Sequence, residues 1–341
     1  MAVELDLDPA EFADTANAVM NDCARADGLA ERACLLGSAG LLGVLAPEAV
    51  GGLGLPIRFA VPVLQAAGSR LLAYPLLEAM LLARELSDSK SAAAIVAGDW
   101  RPTIAWSGML SDEGATIGRA PLGEQASHVL GFHADGGARL IEASSNVIEW
   151  MPAPSIDVLC PEANLIVSRV TGAESLSLEA VARLRRDADL LRAALILGHA
   201  QSCLEAAADH AEQREQFGRS LSANQAIRHR LARQSLAVET IRNAIARALN
   251  SEPKDERLAG WAAFAGACEL GATVVECDPD LRRHGVHLGV AIASAFAPNQ
   301  DAGGPGGSAR RSFKRGEAAR RVGQPLSRWR NARCRLIRRL S

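Results

Sequence analysis

The chain has 341 residues, of which 48% are hydrophobic and 22% charged, and its formal net charge is −2 at pH 7. This apolar content excludes a disordered protein, and the length allows two or three domains with a large buried core. The seven cysteines are odd in number and have no Cys-x-x-Cys pair, so they predict neither a disulfide framework nor a zinc site. A reducing cytoplasm is the expected compartment.

The first residues, MAVELDLDPAEFADT, are acidic and lack the basic start and apolar core of a secretory signal. No apolar run reaches the roughly 18 residues of a membrane span. His199 and His210 are too far apart on one predicted helix to share a metal ion, so no metal site is predicted. We expect a soluble protein that does not associate with membranes.

Residues 1–100 predict a helical N-terminal domain. Apolar periodicity favours helices over Ala10–Leu41, Ala60–Leu86 and Ser91–Ala97. The glycines near residue 51 form a turn that separates the first helix from the second. Residues 101–172 then change to short β-prone runs separated by Gly, Pro, Ser and Asp, which predict a small β-domain. These runs are His128–Phe132, Arg139–Glu142, Val147–Met151 and Asn164–Val170.

Residues 173–277 return to a helical pattern, with helices predicted over Leu178–Arg214, Ala223–Leu249 and Asp255–Val275. Together they predict the beginning of a helical bundle. Gly218 is interpreted as the C-terminal cap of the first of these helices. An arginine in a last helical turn complements the helix dipole, but its planar fork can also grip a pyrophosphate. From spacing alone, Arg214 fits a solvated helix end or an anion site.

Residues 278–341 form an aberrant tail rich in Arg and Gly, which we expect to be disordered. From residue 302 onward the tail has twelve Arg and Lys residues and a single acidic residue, Glu317. One interpretation is a basic arm for nucleic acid or an anionic membrane. From residue 302 onward the only aromatic residues are Phe313 and Trp329, and no DNA-binding fold precedes this basic segment, so no nucleic-acid partner is expected. The other interpretation is a frameshift.

Two segments resemble the acyl-CoA dehydrogenase family. Residues 214–232, REQFGRSLSANQAIRHRLA, are similar to the family pattern R-x-Q-F-G-x-x-I-x-x-x-Q-x-x-x-H-x-L-A. Residues 35–56, LLGSAGLLGVLAPEAVGGLGLP, resemble its N-terminal G-L-L-x-L-x-x-P-E-x-x-G-G-L-G-L, and Gly68 and Pro75 follow as expected. The resemblance implies a mostly α fold with a helical N-terminal domain, a middle β-barrel and a C-terminal helical bundle, here incomplete.

The resemblance also implies a function. Members of this family remove an α-proton from an acyl-CoA substrate with a glutamate, while the β-hydride passes to FAD and the electrons then go to an electron-transfer acceptor. FAD lies between subunits of an oligomer. The matched positions place Arg214, Gln216 and Phe217 against the pyrophosphate side of the flavin of a neighbouring subunit. Asn224 and Gln225 would add hydrogen bonds to it.

The resemblance does not identify a catalytic base in this chain. One branch of the family has its glutamate 26 residues before the arginine of R-x-Q-F-G, where this sequence has Ala188. Asp187 and Asp189 flank that position at about 100° on either side of a helix. They are also explained as an acidic first turn that complements the helix dipole. The catalytic residue therefore stays unassigned. Trp106–Asp112 stands where typical members carry a T-E-x-x-x-G-S-D stretch that contacts flavin and substrate, so this segment predicts no flavin contact from the β-domain.

The codons of Cys277–Gly289, read from their second base, can encode Gly-Met-Gly-Phe-Thr-Trp-Glu, which is similar to the family's next motif. We therefore hypothesise a frameshift after about residue 277. In actinobacterial sterol-degrading members, unlike subunits share one flavin site, and this chain resembles such a subunit. A homo- or hetero-oligomer is expected. The alternative is a catalytically inactive family member that acts as a structural partner, or a frameshifted remnant.

Overall fold

The computed structural model describes residues 8–86, 90–153, 159–170 and 174–275. These residues form helices at both ends of the described part and a sheet between them. The helices are α1 (Pro9–Cys23), α2 (Leu29–Ser38), α3 (Ala60–Ser69), α4 (Leu76–Glu85), α5 (Lys90–Ala97), α6 (Leu178–Gln213), α7 (Gln225–Leu249) and α8 (Glu256–Val275). The longer strands are β1 (Pro102–Leu110), β2 (Ala115–Pro121), β3 (His128–His133), β4 (Ala138–Glu142), β5 (Ile148–Pro152), β6 (Glu162–Val167) and β7 (Glu174–Leu176).

The two long N-terminal helices predicted from periodicity are each split in two. The first breaks between α1 and α2, where the Arg32 guanidinium donates hydrogen bonds to the carbonyl oxygens of Cys23 (3.1 Å) and Ala26 (3.0 Å). These bonds satisfy carbonyls at the end of α1 that a continuing helix would have used. The second breaks between α3 and α4, where Leu71 takes a φ of 52° and Pro75 disfavours helical backbone before it.

The sheet has seven strands in the order β5-β6-β2-β1-β3-β4-β7, and β1 and β3 form its parallel pair. Side chains on successive residues point to opposite faces, so Ile104 packs with the helices and Ala105 with a second apolar cluster. The same alternation places Leu130 and Val129 on opposite faces. Among the described residues the edge strands β5 and β7 do not pair, so the predicted barrel is a curled sheet.

Three strands were not predicted: β1, β2 and β7. Positive backbone φ angles interrupt the first two strands, with 83° at Gly108 in β1 and 58° at Arg119 in β2. The pairing register of both strands shifts near these residues. Such bulges interrupt the alternation by which a strand is recognised. The third strand begins at Glu174, which the sequence placed in a helical region.

The helix α6 is the central element of the C-terminal part, since it packs against α3, α7 and α8. Ser177 caps its start by accepting a hydrogen bond from the backbone N–H of Ala180 (3.2 Å). It crosses α3 through two glycines: a Cβ on Gly68 would overlap the carbonyl oxygen of Leu195, and one on Gly198 would overlap that of Gln65. The absence of side chains at these points lets the two backbones touch.

The predicted fold class, mostly α with a small β-domain, is confirmed. The division of the chain at residues 100 and 172 stays a prediction. The tail assigned to residues 278–341, and the frameshift placed near Cys277, lie outside the described residues. None of the helices within the described ranges is both long and apolar enough to cross a membrane.

Candidate functional site

The five residues predicted to bind the cofactor lie together at one end of the molecule's central helical pair. After α6 ends at Gln213, the chain forms a small hairpin of two strands, β8 (Glu215–Gln216) and β9 (Arg219–Ser220). A hydrogen bond from the N–H of Leu221 to the carbonyl of Arg214 (2.8 Å) closes it. A short helical turn then leads to α7. We call residues 214–225 the corner.

The prediction that Gly218 caps α6 is wrong. The residue after the helix is Arg214, which has extended backbone (φ −80°, ψ 119°) and donates its N–H to the His210 carbonyl (2.9 Å). Phe217 and Gly218 both have positive φ, 55° and 76°, and form the tight turn of the hairpin. Turns of this kind match the twist of the strands they join. A Cβ on Gly218 would meet nothing within 4 Å, so the backbone angle alone favours glycine there.

All five predicted side chains are exposed. Phe217 is fully exposed, which is unusual for a phenylalanine. The side chains of Arg214, Gln216 and Gln225 make no hydrogen bond or ion pair with any residue that the structure describes. Asn224 is partly engaged, because its Oδ1 accepts a hydrogen bond from the Ala226 N–H (3.0 Å) and so caps α7. The corner therefore presents donors and an apolar ring to the outside of this chain.

The charge of the corner suits an anionic ligand. The first half of α7 carries the exposed residues Arg228, Arg230 and Arg233, and Arg219 lies on the hairpin itself. The N-terminus of a helix adds partial positive charge from its free N–H groups. A pyrophosphate placed between Arg214 and the start of α7 would meet both sources of positive charge.

At the position of the family's catalytic glutamate, Ala188 is completely buried and offers no proton acceptor. Its neighbour Asp187 is 5% exposed and lies 2.7 Å from Arg84 and 2.8 Å from Arg186. An aspartate held by two arginines is a structural ion pair. The interpretation of Asp187 and Asp189 as an acidic first turn is wrong, because α6 begins at Leu178 and the dipole acts mainly within the first turn.

Asp189 lies in a different environment. Its side chain is 25% exposed and stands 3.6 Å from Arg192. Burial raises the pKa of Asp189, and the charges of Arg192, Arg257 and Arg185 oppose that rise. A carboxyl group with a perturbed pKa in a partly open position is a candidate functional group, although ion-pair networks also produce such shifts.

A polar cluster around the buried Glu78 lies beside Asp189, and it was not predicted from the sequence. The Trp106 Nε1 donates a hydrogen bond to Glu78 Oε1 (2.9 Å), and the Arg192 Cζ lies 3.8 Å from the centre of the Trp106 ring. Burial raises the pKa of Glu78, while the Trp106 hydrogen bond and then the Arg192 charge lower it. The available signal was the lone acid within the apolar run Leu76–Ala83, since a buried charge requires a partner.

Residues 172–270 match the family described as acyl-CoA dehydrogenase, C-terminal domain. The resemblance to the acyl-CoA dehydrogenases is confirmed. Among curated proteins, acyl-CoA dehydrogenase FadE34 of Mycobacterium tuberculosis is 28% identical over 201 residues, which are 57% of this chain. The chain spans 28% of the length of that relative.

Solved acyl-CoA dehydrogenase structures share the fold. A variant of the Tcur3481–Tcur3483 steroid ACAD is 24% identical, with a TM-score of 0.74 over 84% of this chain and 93% of the other. The ChsE4–ChsE5 complex from Mycobacterium tuberculosis is 22% identical, with a TM-score of 0.72 over 86% and 94%. A glutaryl-CoA dehydrogenase from Mycobacterium smegmatis, in complex with FADH2, is 14% identical with a TM-score of 0.70 over 86% and 91%.

Proposed function

We propose that the chain is one subunit of an FAD-dependent acyl-CoA dehydrogenase, which oxidises the Cα–Cβ bond of an acyl-CoA thioester. The observation that carries this proposal is the corner. Arg214, Gln216, Phe217 and Gln225 match the family's motif, and these four residues and Asn224 lie together at a hairpin and leave most of their polar groups unused by the described part of the chain. FAD, when bound, would supply the acceptor for the hydride.

The residues of the corner would have distinct tasks. Arg214 follows the end of α6, where its guanidinium can make two parallel hydrogen bonds to a phosphate group. Gln216 and Gln225 would donate amide hydrogen bonds. The Asn224 amide nitrogen is available as a donor, since only its oxygen caps α7. Phe217 would cover an apolar part of the nucleotide and exclude water from it.

The exposure of the corner favours a ligand shared with a second subunit. A convex hairpin end cannot enclose a nucleotide alone, since bound small molecules usually lose most of their surface to a concave site. We propose that the opposite wall belongs to a neighbouring subunit, either a second copy or an unlike chain. Two of the similar structures, the Tcur3481–Tcur3483 steroid ACAD and the ChsE4–ChsE5 complex, support a mixed pair.

The first test is the visible absorption spectrum of the purified assembly, compared with that of its Arg214→Ala variant. We expect bound flavin in the parent and at least about tenfold weaker retention in the variant, because a hydrogen bond to a charged group is worth about 1.5–3 kcal/mol. Arg247→Ala is the matched control, since it removes an exposed arginine from the far end of α7. Equal retention by the two variants would contradict the role of the corner.

A catalytically silent subunit is the second candidate, and one observation favours it. The base position is Ala188, and the adjacent Asp187 is neutralised by Arg84 and Arg186. An active assembly should lose its flavin absorption when an acyl-CoA substrate is added under anaerobic conditions. Flavin that is retained but never reduced by acyl-CoA thioesters of varied acyl groups would identify the silent form.

A further inference from the structure

We propose that Arg185, Asp189 and Arg192 of α6, together with Arg257 of α8, form a cleft that binds an anionic group of a ligand, either a phosphate or a carboxylate. We call these four residues the cationic cleft. It stands well away from the corner, since Arg192 and Arg214 are separated by about 33 Å along the helix at 1.5 Å per residue. The proposal does not depend on the flavin site.

The sequence spacing places the cleft on one face of α6. Arg185, Asp189 and Arg192 follow one another at intervals of four and three residues, which are neighbours on a helix surface. Their exposure is graded. Arg192 is 23% exposed and Asp189 is 25% exposed, whereas Arg185 is open to solvent, as is Arg257 on the neighbouring helix. Arg192 therefore forms the floor of the cleft, and Arg185 and Arg257 form its rim.

Other arginines of the same helix have close carboxylate partners. Arg183 makes hydrogen bonds of 2.7–3.2 Å to both carboxylate oxygens of Glu85. Arg186 lies 2.8 Å from both Asp187 and Glu256. We call such ion pairs closed, because each guanidinium lies within hydrogen-bond distance of a carboxylate.

The cationic cleft is not closed in this way. Arg192 is 3.6 Å from Asp189, which is too long for a hydrogen bond. Within the described ranges, Arg185 and Arg257 have no carboxylate within ion-pair distance. Three guanidinium groups thus surround Asp189, and Glu78 is the other carboxylate that acts on Arg192, so positive charges outnumber negative ones. Asp189 cannot satisfy them all, and an added anion would bring the group closer to neutrality.

Aromatic rings hold two of these guanidinium groups in place. The Arg185 Cζ lies 4.0 Å from the centre of the Phe132 ring. The Arg192 Cζ lies 3.8 Å from Trp106 and 5.8 Å from Phe264, so it is placed between two rings. A stacked guanidinium uses its flat faces and keeps its N–H edge available. The donors are therefore oriented before a ligand arrives.

Keeping these positive charges close together and partly buried is energetically unfavourable. Burial lowers the pKa of Arg185, and the like charge of Arg257 lowers it further. Burial also lowers the pKa of Arg192, against the opposing charges of Glu78 and Asp189. A bound anion would reduce this repulsion, because a ligand that binds only the folded protein stabilises it.

Isothermal titration calorimetry on the full chain would test the proposal with two separate probes. Coenzyme A offers phosphates without an acyl carboxylate, and glutarate offers carboxylates without a phosphate. Binding of coenzyme A alone would identify a phosphate ligand, binding of glutarate alone a carboxylate ligand, and binding of both a general anion site. We expect at least one probe to bind, more weakly as salt concentration rises.

Arg185→Gln and Arg257→Gln each remove one rim charge, and each should weaken binding about tenfold, as expected for a charge-assisted hydrogen bond. Arg247→Gln makes the same charge change on an exposed part of α7 and should leave binding unchanged. The flavin spectrum of the rim variants should also be unchanged, which separates this test from that of the corner. The absence of binding by both probes, or equal weakening by Arg247→Gln, would overturn the proposal.

Discussion

The two ends of α6 have opposite character. The first part, up to about Ala200, is buried on several sides, crosses α3 through a glycine and is held by closed ion pairs. The last part keeps one buried stripe, Cys203, Ala207 and Ala211, and the corner that follows it is exposed, with polar groups that few described residues satisfy. Residues in the first part should therefore determine stability. Those in the second should affect ligand binding with little effect on folding.

The largest expected effect is at the helix crossing. A Gly198→Ala variant would place a Cβ on the carbonyl of Gln65, and backbone on both sides leaves little room to relax. We expect a loss of about 3 kcal/mol in the free energy of unfolding, at the upper end for overpacked cores. Denaturant titration followed by circular dichroism would measure it.

Gly266→Ala is the matched control for that variant, because it also adds a methyl group to a helix. A Cβ there would meet nothing within 4 Å. Since alanine is the better helix former, this variant should be stabilised by up to about 1 kcal/mol. Similar losses from the two substitutions would mean that helix α3 does not approach α6 as closely as described.

The next effect concerns the closed ion pairs. An Asp187→Ala variant would leave Arg84 and Arg186 without their shared carboxylate, and Arg84 is only 19% exposed. We expect a loss of about 2 kcal/mol, below the usual 3–5 kcal/mol for a broken buried pair because Glu85 still contacts Arg84. Glu239→Ala, which removes a pair on the exposed side of α7, should cost at most about 0.5 kcal/mol. Equal losses of stability by the two variants in thermal unfolding would contradict the distinction between buried and exposed ion pairs.

Glu78 provides a prediction about pH. Burial raises the pKa of Glu78 above its ordinary 4.5, so the folded state holds a proton more tightly than the unfolded state does. This contribution to stability is complete at low pH and is lost as pH rises through the raised value. A Glu78→Gln variant can still accept the Trp106 hydrogen bond but cannot ionise.

The Glu78→Gln variant should therefore unfold at a temperature a few degrees higher than the parent at neutral pH, and the difference should shrink below about pH 5. Thermal melts across pH would show this. Glu78→Leu is the comparison, since it also removes the charge but leaves the Trp106 N–H without an acceptor. A gain that is independent of pH would contradict the raised pKa.

The smallest effect is expected at the corner. A Gly218→Ala variant keeps the turn but forces an alanine into left-handed backbone, at a cost of about 1 kcal/mol. Its unfolding free energy should fall by no more than about 1 kcal/mol, while flavin retention falls as the hairpin shifts. Retention equal to that of the parent would show that the turn tolerates alanine without moving Arg214.

The sequence predicted the C-terminal helices well because their apolar periodicity is long and uninterrupted. The corner residues were found through a family motif, whereas the hairpin at Phe217 and Gly218 was mistaken for a helix cap, because a glycine after a helix fits both. The split near Leu71 and the bulges in β1 and β2 depend on backbone angles that periodicity does not report.

The cluster of Glu78, Trp106 and Arg192 could not be predicted for another reason. Its members come from α4, β1 and α6 and meet only through tertiary packing. Their individual residue types carry no signal of the contact. Arg257 and the cationic cleft could not be predicted either. They are identified by the lack of a close carboxylate partner among the described residues, and no sequence motif marks them.

Because α6 is one continuous helix, it holds residues near its two ends at a fixed distance from each other. Ala188 and Arg214 are 26 residues apart, with no break in the helix that leads from one to the other, which corresponds to about 39 Å. Side chains at these two points cannot meet around one reacting group. In the proposed assembly, these two parts of a single copy would therefore face different flavin sites, and damage to α6 would impair both.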